Sequence, residues 1–436
     1  MEQGLVMQRR EASVREYRVV WMGTALALLL AIVGPASADN WPRFRGPNGQ
    51  GISDSKTIPT KWSPQEYKWK IELPGGGHSS PVVWDDRVFV TCANDKTLKG
   101  TLLCLNASKG RELWRKEHDL AKLPMNALNN YAAATPALDA EQVYLIWPGP
   151  EQVTLAALAH DGREVWATKL PGVRARHGAG SSPIVCGDYV IVTRENDKST
   201  GSAPASVWLA VARKTGEVQW RYEHPENANG SYSTPCVYRD KQGRDELVFT
   251  SNSHGIAAID PGMGKLLWKT PAALPARVVS SPFLAGDMVI GTCGEGGRGI
   301  RLSAIRPPDA ASSPATEVYG LQSNVVPYVP TSVVHEGLFF GFHDGGVVSC
   351  FRVATGEVVW SQKPAGRFFG SPVCVDGKLY CITVDGDAVV LRAGPKYELL
   401  AVNPLGEKSH AAPAVADGRM FLRTFSHLIC VGGEKE

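Results

Sequence analysis

The sequence predicts an all-β protein: an eight-bladed β-propeller with four-stranded blades, closed by an N-terminal strand that completes the last blade. Three observations lead there. A start signal, usually Ser or Thr followed by Pro, occurs in eight places. The copies are spaced by about 40 to 55 residues, each with roughly four strand-like runs, the period of propellers or solenoids. The last copy lacks its fourth strand, and a spare strand stands ahead of the first copy.

The first copy runs from Ser79-Ser80-Pro81 through Val82-Val83, the turn Asp85-Asp86 and Val88-Phe89-Val90. It continues with Leu103-Cys104-Leu105, the turn Lys109-Gly110 and Leu113-Trp114. Further copies start at Thr135-Pro136, Ser182-Pro183, Thr234-Pro235, Ser281-Pro282, Thr331-Ser332, Ser371-Pro372 and Ala412-Pro413. Pro at the head of a strand costs no interior ladder donor. The pairs Asp161-Gly162, Thr215-Gly216, Thr355-Gly356 and Asp376-Gly377 supply residues that accept the positive φ of tight hairpins. No long helical periodicity appears beyond residue 38.

After Leu428 to Val431 too little chain remains for a fourth strand, whereas Tyr67 to Leu73 reads as one. Pairing the two closes the ring and removes a free edge, which an open solenoid would have to cap. Trp69, Trp114, Trp166, Trp220, Trp268 and Trp360 recur at the fourth-strand position. Regular recurrence favours structural docking between neighbouring blades over a ligand ladder. The fifth copy has Tyr319 near this position and the seventh has Leu399-Leu400, so those blades are expected to be held less tightly.

Residues 1–38 read as a signal peptide. Arg9, Arg10, Arg15 and Arg18 precede an apolar run from Val19 to Val33, and Ala36-Ser37-Ala38 offers a small-x-small cleavage site before Asp39. The run is shorter than the about 20 residues that usually span a bilayer, and no Cys stands by the site to take a lipid. A monomeric periplasmic or secreted protein without a lipid anchor is expected. Residues 39–61 form a leader and 62–436 the propeller; the part 39–55 is expected to matter far less to stability than the strand ending at Leu73. The formal net charge is +3, from 46 basic against 43 acidic residues, which gives no reason to expect nucleic acid as a partner. The nine Cys show no framework spacing and mostly sit in apolar strand patterns. A bridge between Cys374 and Cys381 across one tight turn is the less favoured arrangement.

The units Thr215-Gly216-Glu217-x-x-Trp220 and Thr355-Gly356-Glu357-x-x-Trp360 resemble the tryptophan-docking repeat of the pyrroloquinoline-quinone-like propellers. The resemblance extends from about Trp62 to Val431. The leader from Asn40 to Gly49 also looks like the start of many exported proteins with this repeat. The group includes quinone-dependent alcohol dehydrogenases and BamB-like assembly subunits, so the resemblance implies the fold more sharply than a function. In the dehydrogenases an adjacent Cys-Cys pair covers the cofactor; no two Cys are adjacent here, and there is no Cys-x-x-Cys-His haem site. The His residues form no metal-ligand pair. The expectation is a non-catalytic binding or scaffold module of the cell envelope, with no catalytic residue, metal or cofactor assigned. A quinone-binding dehydrogenase is the alternative.

The segments ahead of the starts should converge on one face of a closed ring. They contribute His78, Tyr131, Arg176, His177, Tyr232, Arg277, Tyr328, Arg367 and His410. These loops are nearly free of acid, Glu226 and Glu407 excepted. The channel mouth is therefore expected to be polar and mildly basic, with Arg forks, Tyr and His offering hydrogen bonds. An anionic small molecule, or an acidic segment of an envelope protein, is the expected partner.

Overall fold

The computed structural model describes residues 39–175, 177–197, 205–224, 230–309 and 313–433. The expected signal segment, Arg176 and Glu226 lie outside the described residues. Eight antiparallel sheets make the blades. Blade 1 consists of Val82–Trp84, Arg87–Asn94, Lys99–Asn106 and Glu112–Asp119, from the axis outward. Blades 2 to 7 repeat the order, with inner strands Ala137–Leu138, Ile184–Cys186, Cys236–Arg239, Phe283–Ala285, Val333–His335 and Val373–Val375. Middle strands are buried on both faces by the neighbouring blades, which is why they read as unbroken apolar runs. Val88, Phe89 and Val90 are all fully buried.

Blade 8 takes Ala414–Ala416, Arg419–Arg423 and His427–Gly432 from the end of the chain, and Trp69–Glu72 from its beginning. Trp69 lies opposite Cys430 and Glu72 opposite His427. Two flanking bonds, Lys68 N–H to Cys430 O at 2.9 Å and Leu73 N–H to Ser426 O at 2.8 Å, extend the pairing. The ring closes through this strand.

The joints between blades are built from the tryptophans. The indole N–H of Trp69 donates to Ala107 O at 3.0 Å, that of Trp114 to His160 O at 2.9 Å, and that of Trp166 to Arg213 O at 2.8 Å. Trp220 reaches Pro261 O at 2.8 Å and Trp360 reaches Gly394 O at 3.0 Å. Each acceptor belongs to the next blade. A Cβ at Gly110, where φ is +65°, would stand 2.6 Å from the Trp69 ring, so Gly serves both the turn and the ring seated on it. Trp268 differs: its N–H donates to Glu246 of its own blade at 2.7 Å. Blade 5 is not left without a joint. The Tyr319 hydroxyl donates to Val353 O at 2.8 Å, and its ring covers Gly356 as the indoles cover theirs. All nine Cys are free and buried. Cys374 faces Leu379 and Cys381 faces Val389, so the hairpin does not bring the two together.

The Ser/Thr start signal has a role that its repetition alone did not reveal. The amide of each start residue donates to the hydroxyl of the corresponding residue in the next blade. The links run Ser80 to Thr135, Thr135 to Ser182, Ser182 to Thr234, Thr234 to Ser281, Ser281 to Thr331, Thr331 to Ser371, and Ala412 to Ser80. All are 2.9 to 3.1 Å long. The belt breaks once, between Ser371 and Ala412, where the acceptor hydroxyl is missing.

The leader is part of the ring and not an appendage. Inner strands of a propeller leave backbone donors and acceptors facing the axis, and buried ones need partners. Trp41 exchanges backbone bonds with Val83 of blade 1, and Pro42 O accepts from Leu138 N–H of blade 2. The Asn48 side chain pairs with both backbone groups of Val237 in blade 4. Gln50 Oε1 accepts from Leu284 N–H in blade 5. Ile52–Ser53 adds a fifth, parallel strand to blade 7. Arg45, wholly buried, donates to Thr331 O and Ser332 O of blade 6 and to Gly49 O and Gln50 O of its own loop. Arg43 donates to Pro235 O at 2.6 Å. The expectation that 39–55 matters far less to stability than the strand ending at Leu73 did not take this threading into account.

Candidate functional site

The inner strands run from the belt at one end of the channel to the first hairpin turns at the other. The leader fills the latter end. Phe44, carried upward between Arg43 and Arg45, forms the floor of a cup of about 540 Å³ that opens at the belt end. Thr135, Ser182, Thr234, Ser281, Thr331 and Ser371 of the belt line its lower wall.

His78, His177, Tyr232, Arg277, Tyr328 and His410 all line this cup. Segments far apart in the chain are brought together by the ring. Three others of the expected set stand elsewhere or undescribed. Tyr131 is buried in the core between blades 1 and 2, and its hydroxyl accepts from Leu123 N–H at 3.0 Å. The Arg367 guanidinium lies 5.9 Å from the centre of the Phe369 ring and does not line the cup. Arg176 lies outside the described residues.

Two halves of the wall differ in chemistry. On the blade 7, 8 and 1 side, His78 and His410 stack at 4.3 Å, with the Phe369 edge 4.9 Å from His410. Burial pushes His78 down to about 3 and His410 to about 4, helped by the cations Lys408, Arg423 and Arg367 around them. Both imidazoles are neutral at pH 7, so this half is an aromatic surface and not a cationic one. On the blade 4, 5 and 6 side, Arg277 is bonded to Tyr328 and lies 3.9 Å from Asp197. Glu295 and Asp344 face the cup here. Asp344 is 5% exposed; its Oδ1 accepts from Val329 N–H at 3.0 Å, and its Oδ2 has no partner among the described residues. Burial pushes its carboxyl up to about 6.

Among the described residues the lining thus sets Glu295 and Asp344 beside Arg277, where the sequence suggests a mildly basic mouth. Its acids come from hairpins between the second and third strands, which reach the same face as the segments ahead of the start signals. Asp197, Glu295 and Asp344 all sit on such hairpins, and a survey limited to the entering loops passes over them. Glu407, the entering-loop acid, is engaged elsewhere: Thr424, Ser426 and His427 bond to it and hold it down to about 2.

A strap borders the mouth and lines the cup through Asn126, Leu128 and Asn129. Between blade 1 and blade 2, Asn129 Nδ2 donates to His177 O at 2.6 Å and to Ala179 O at 3.1 Å. On the opposite side His410 bonds to the backbone of Leu128, whose own side chain is 58% exposed. Tyr131 secures the base of the strap, which is its part in the site.

Among the described residues, the donor set does not suit a quinone and its calcium ion. Every Cys is buried in a blade and none adjoins another in sequence. The cup acids do not gather into a group of three metal-ligating side chains among the described residues.

Comparison with known proteins follows the same line. Residues 60–234, 205–306 and 315–396 match the family described as outer membrane protein assembly factor BamB, PQQ_2. The chain is similar to the outer membrane protein assembly factor BamB of Burkholderia pseudomallei (strain K96243), 24% identical over 73% of this chain and 76% of that protein. It is also 24% identical to a polyvinylalcohol dehydrogenase of a Pseudomonas species, over 49% of this chain but only 30% of that longer protein. In fold it resembles the quinohemoprotein alcohol dehydrogenase of Comamonas testosteroni, at a TM-score of 0.63 and 12% identity over 92% of this chain and 82% of that one. The repeat, the docking tryptophans and these matches together place the chain in the PQQ-like, BamB-type family of β-propellers.

Proposed function

We propose that the protein is an exported, non-catalytic binding module of the cell envelope that engages a partner protein at the strapped, open face of its channel. The carrying observation is the asymmetry of the channel: one end is filled by the chain itself, and the other is a cup under a strap tipped by exposed Leu128. An exposed large apolar side chain at the rim of a concave polar site suits recognition. One relative, covered over 76% of its length, is an assembly factor, which supports a partner protein over a substrate.

A photo-crosslinking side chain at Leu128 tests this in intact envelopes. A discrete adduct is expected from position 128 and none from Met263, an equally accessible residue on a turn at the opposite face. Equal labelling from both positions, or none from either, defeats the reading. N-terminal sequencing of the exported form should give Asp39. The similarity to a polyvinylalcohol dehydrogenase favours the second reading, a quinone-dependent enzyme. Reconstitution with pyrroloquinoline quinone and calcium, followed by dye reduction, separates the two; saturable turnover would put the enzyme first.

A further inference from the structure

We propose that the cup is a receptor for a primary ammonium group carried on an apolar stem. The inference stands on the cavity itself and does not depend on the partner-protein reading. A cup of about 540 Å³ has room for a small ligand or a long side chain. At its acidic wall, Asp344 is 5% exposed and presents an Oδ2 without a partner among the described residues. A buried carboxylate oxygen left unbonded is costly, and buried acceptors of this kind are normally met by a donor. Glu295 lines the same wall, and both carboxylates lie near enough to Tyr328 to act on it electrostatically.

The sign of the ligand follows from what the cations are doing. Arg277 is held by Tyr328 and Asp197, so its charge is already matched within the wall. His78 and His410 are neutral, and the Arg367 guanidinium is over Phe369 outside the cup. Two carboxylates, Asp344 and Glu295, remain without an equivalent cation in the described lining. An ammonium supplies up to three donors on a point charge, the shape a single carboxylate oxygen and a nearby second carboxylate can share. Opposite, Phe369, the stacked imidazoles and the Phe44 floor offer faces that favour an apolar stem and attract a cation. An anion would meet the carboxylates unshielded.

Two sources present this chemistry: a free amine and the lysine side chain of another protein. Isothermal titration with benzylamine probes the first, and Nα-acetyl-lysine amide the second. Benzyl alcohol matches the stem without a charge, and benzoate matches it with the opposite charge. Binding of either amine, with neither benzoate nor benzyl alcohol binding, supports the proposal, and the tighter amine indicates the source. Asp344→Asn keeps an oxygen for Val329 N–H, so it should fold; it is expected to weaken the amine about tenfold or more by removing one charged hydrogen bond. Glu295→Gln, at an exposed position, should weaken it less. The proposal is overturned if neither amine binds, as it would be were a buried water the whole answer to Oδ2. It is overturned equally if benzoate binds as well as benzylamine, or if a folded Asp344→Asn protein binds the amine as the parent does.

Discussion

The two ends of the channel begin with the same problem and solve it differently. Both expose polar groups of eight inner strands to one narrow axis. At the leader end most groups are met from within the chain, Trp41 Nε1 and Arg43 Nε excepted: Arg45 by four carbonyls, the Val237 backbone by Asn48, the blade 7 edge by Ile52–Ser53. At the cup end Asp344 Oδ2 and His78 Nδ1 are buried without partners among the described residues. Pairing most of its buried groups is what a structural plug requires; an unmet carboxylate oxygen in a concave space is what a binding site retains at some cost in stability. The difference assigns stability to one end and recognition to the other.

The largest test of that division is removal of the plug. Deleting residues 39–53 strips backbone partners from blades 1, 2, 4, 5, 6 and 7 together, and takes away the cup floor. Loss of cooperative melting or aggregation on purification is expected. A truncated protein that melts with the parent would show that the leader merely rests on the ring. A point change cuts less. Arg45→Met leaves the Thr331 and Ser332 carbonyls buried and unbonded while keeping most of the side-chain volume. A loss of about 3 kcal/mol is expected in denaturant unfolding, the upper range for orphaned buried groups that met a charged donor. Burial already pushes Arg45 down to about 9, so its charge is held by carbonyl dipoles alone, with no ion pair among the described residues.

At the cup end the sign reverses. Burial raises the folded carboxyl of Asp344 to about 6, against 3.8 ordinarily. The folded state therefore binds a proton that the unfolded state releases, between about pH 4 and pH 6. Its contribution disfavours folding above that window and vanishes below it. Asp344→Asn is expected to be more stable than the parent at pH 7 by about 1 to 3 kcal/mol, and equal to it near pH 4. Urea titrations at the two pH values measure the difference. A variant less stable at pH 7 would mean that Oδ2 is as fully satisfied as the groups at the plugged end.

What was legible in the sequence follows from what repeats. The Ser/Thr-Pro starts, the docking tryptophans and the spare strand at Trp69 disclose eight blades and their closure, because a start is needed in every blade, a docking Trp recurs in six, and one blade is left a strand short. The leader makes its contacts once. Nothing in Arg43-Phe44-Arg45-Gly46 indicates that the two arginines will be buried against carbonyls of blades 4 and 6. Its density of Arg, Trp and Gly without strand alternation was the available signal. Tyr319 shows the same limit: it differs from the repeat in letter but keeps the ring, the donor and the glycine beneath. The six cup residues were legible because their positions ahead of each start are periodic. Asp197, Glu295 and Asp344 were not, since they lie in hairpins of unequal length, and the balance of charge at the mouth turned on them.

The belt stands between the two ends and offers the smallest and sharpest comparison. Seven of its links join an amide to a hydroxyl in the following blade. At the eighth, Ser371 meets Ala412, which is 1% exposed and carries no hydroxyl. The surrounding geometry is that of every other joint: the Ala412 amide itself donates to Ser80 Oγ at 3.1 Å, so its backbone lies in the belt position. A serine there adds one oxygen where the other blades already seat one. Ala412→Ser is expected to give the Ser371 amide an acceptor and to stabilise the protein by about 1 kcal/mol, the net worth of one buried neutral hydrogen bond. Cup binding of the amine should stay unchanged, because the belt positions the wall without supplying its charge. Paired thermal melts of Ala412→Ser and Ala412→Val read the effect; Val matches Thr in shape without its donor and acceptor. Stabilisation by both would trace the gain to packing. Stabilisation by Ser alone would show that the belt is continuous only when its eighth hydroxyl is supplied.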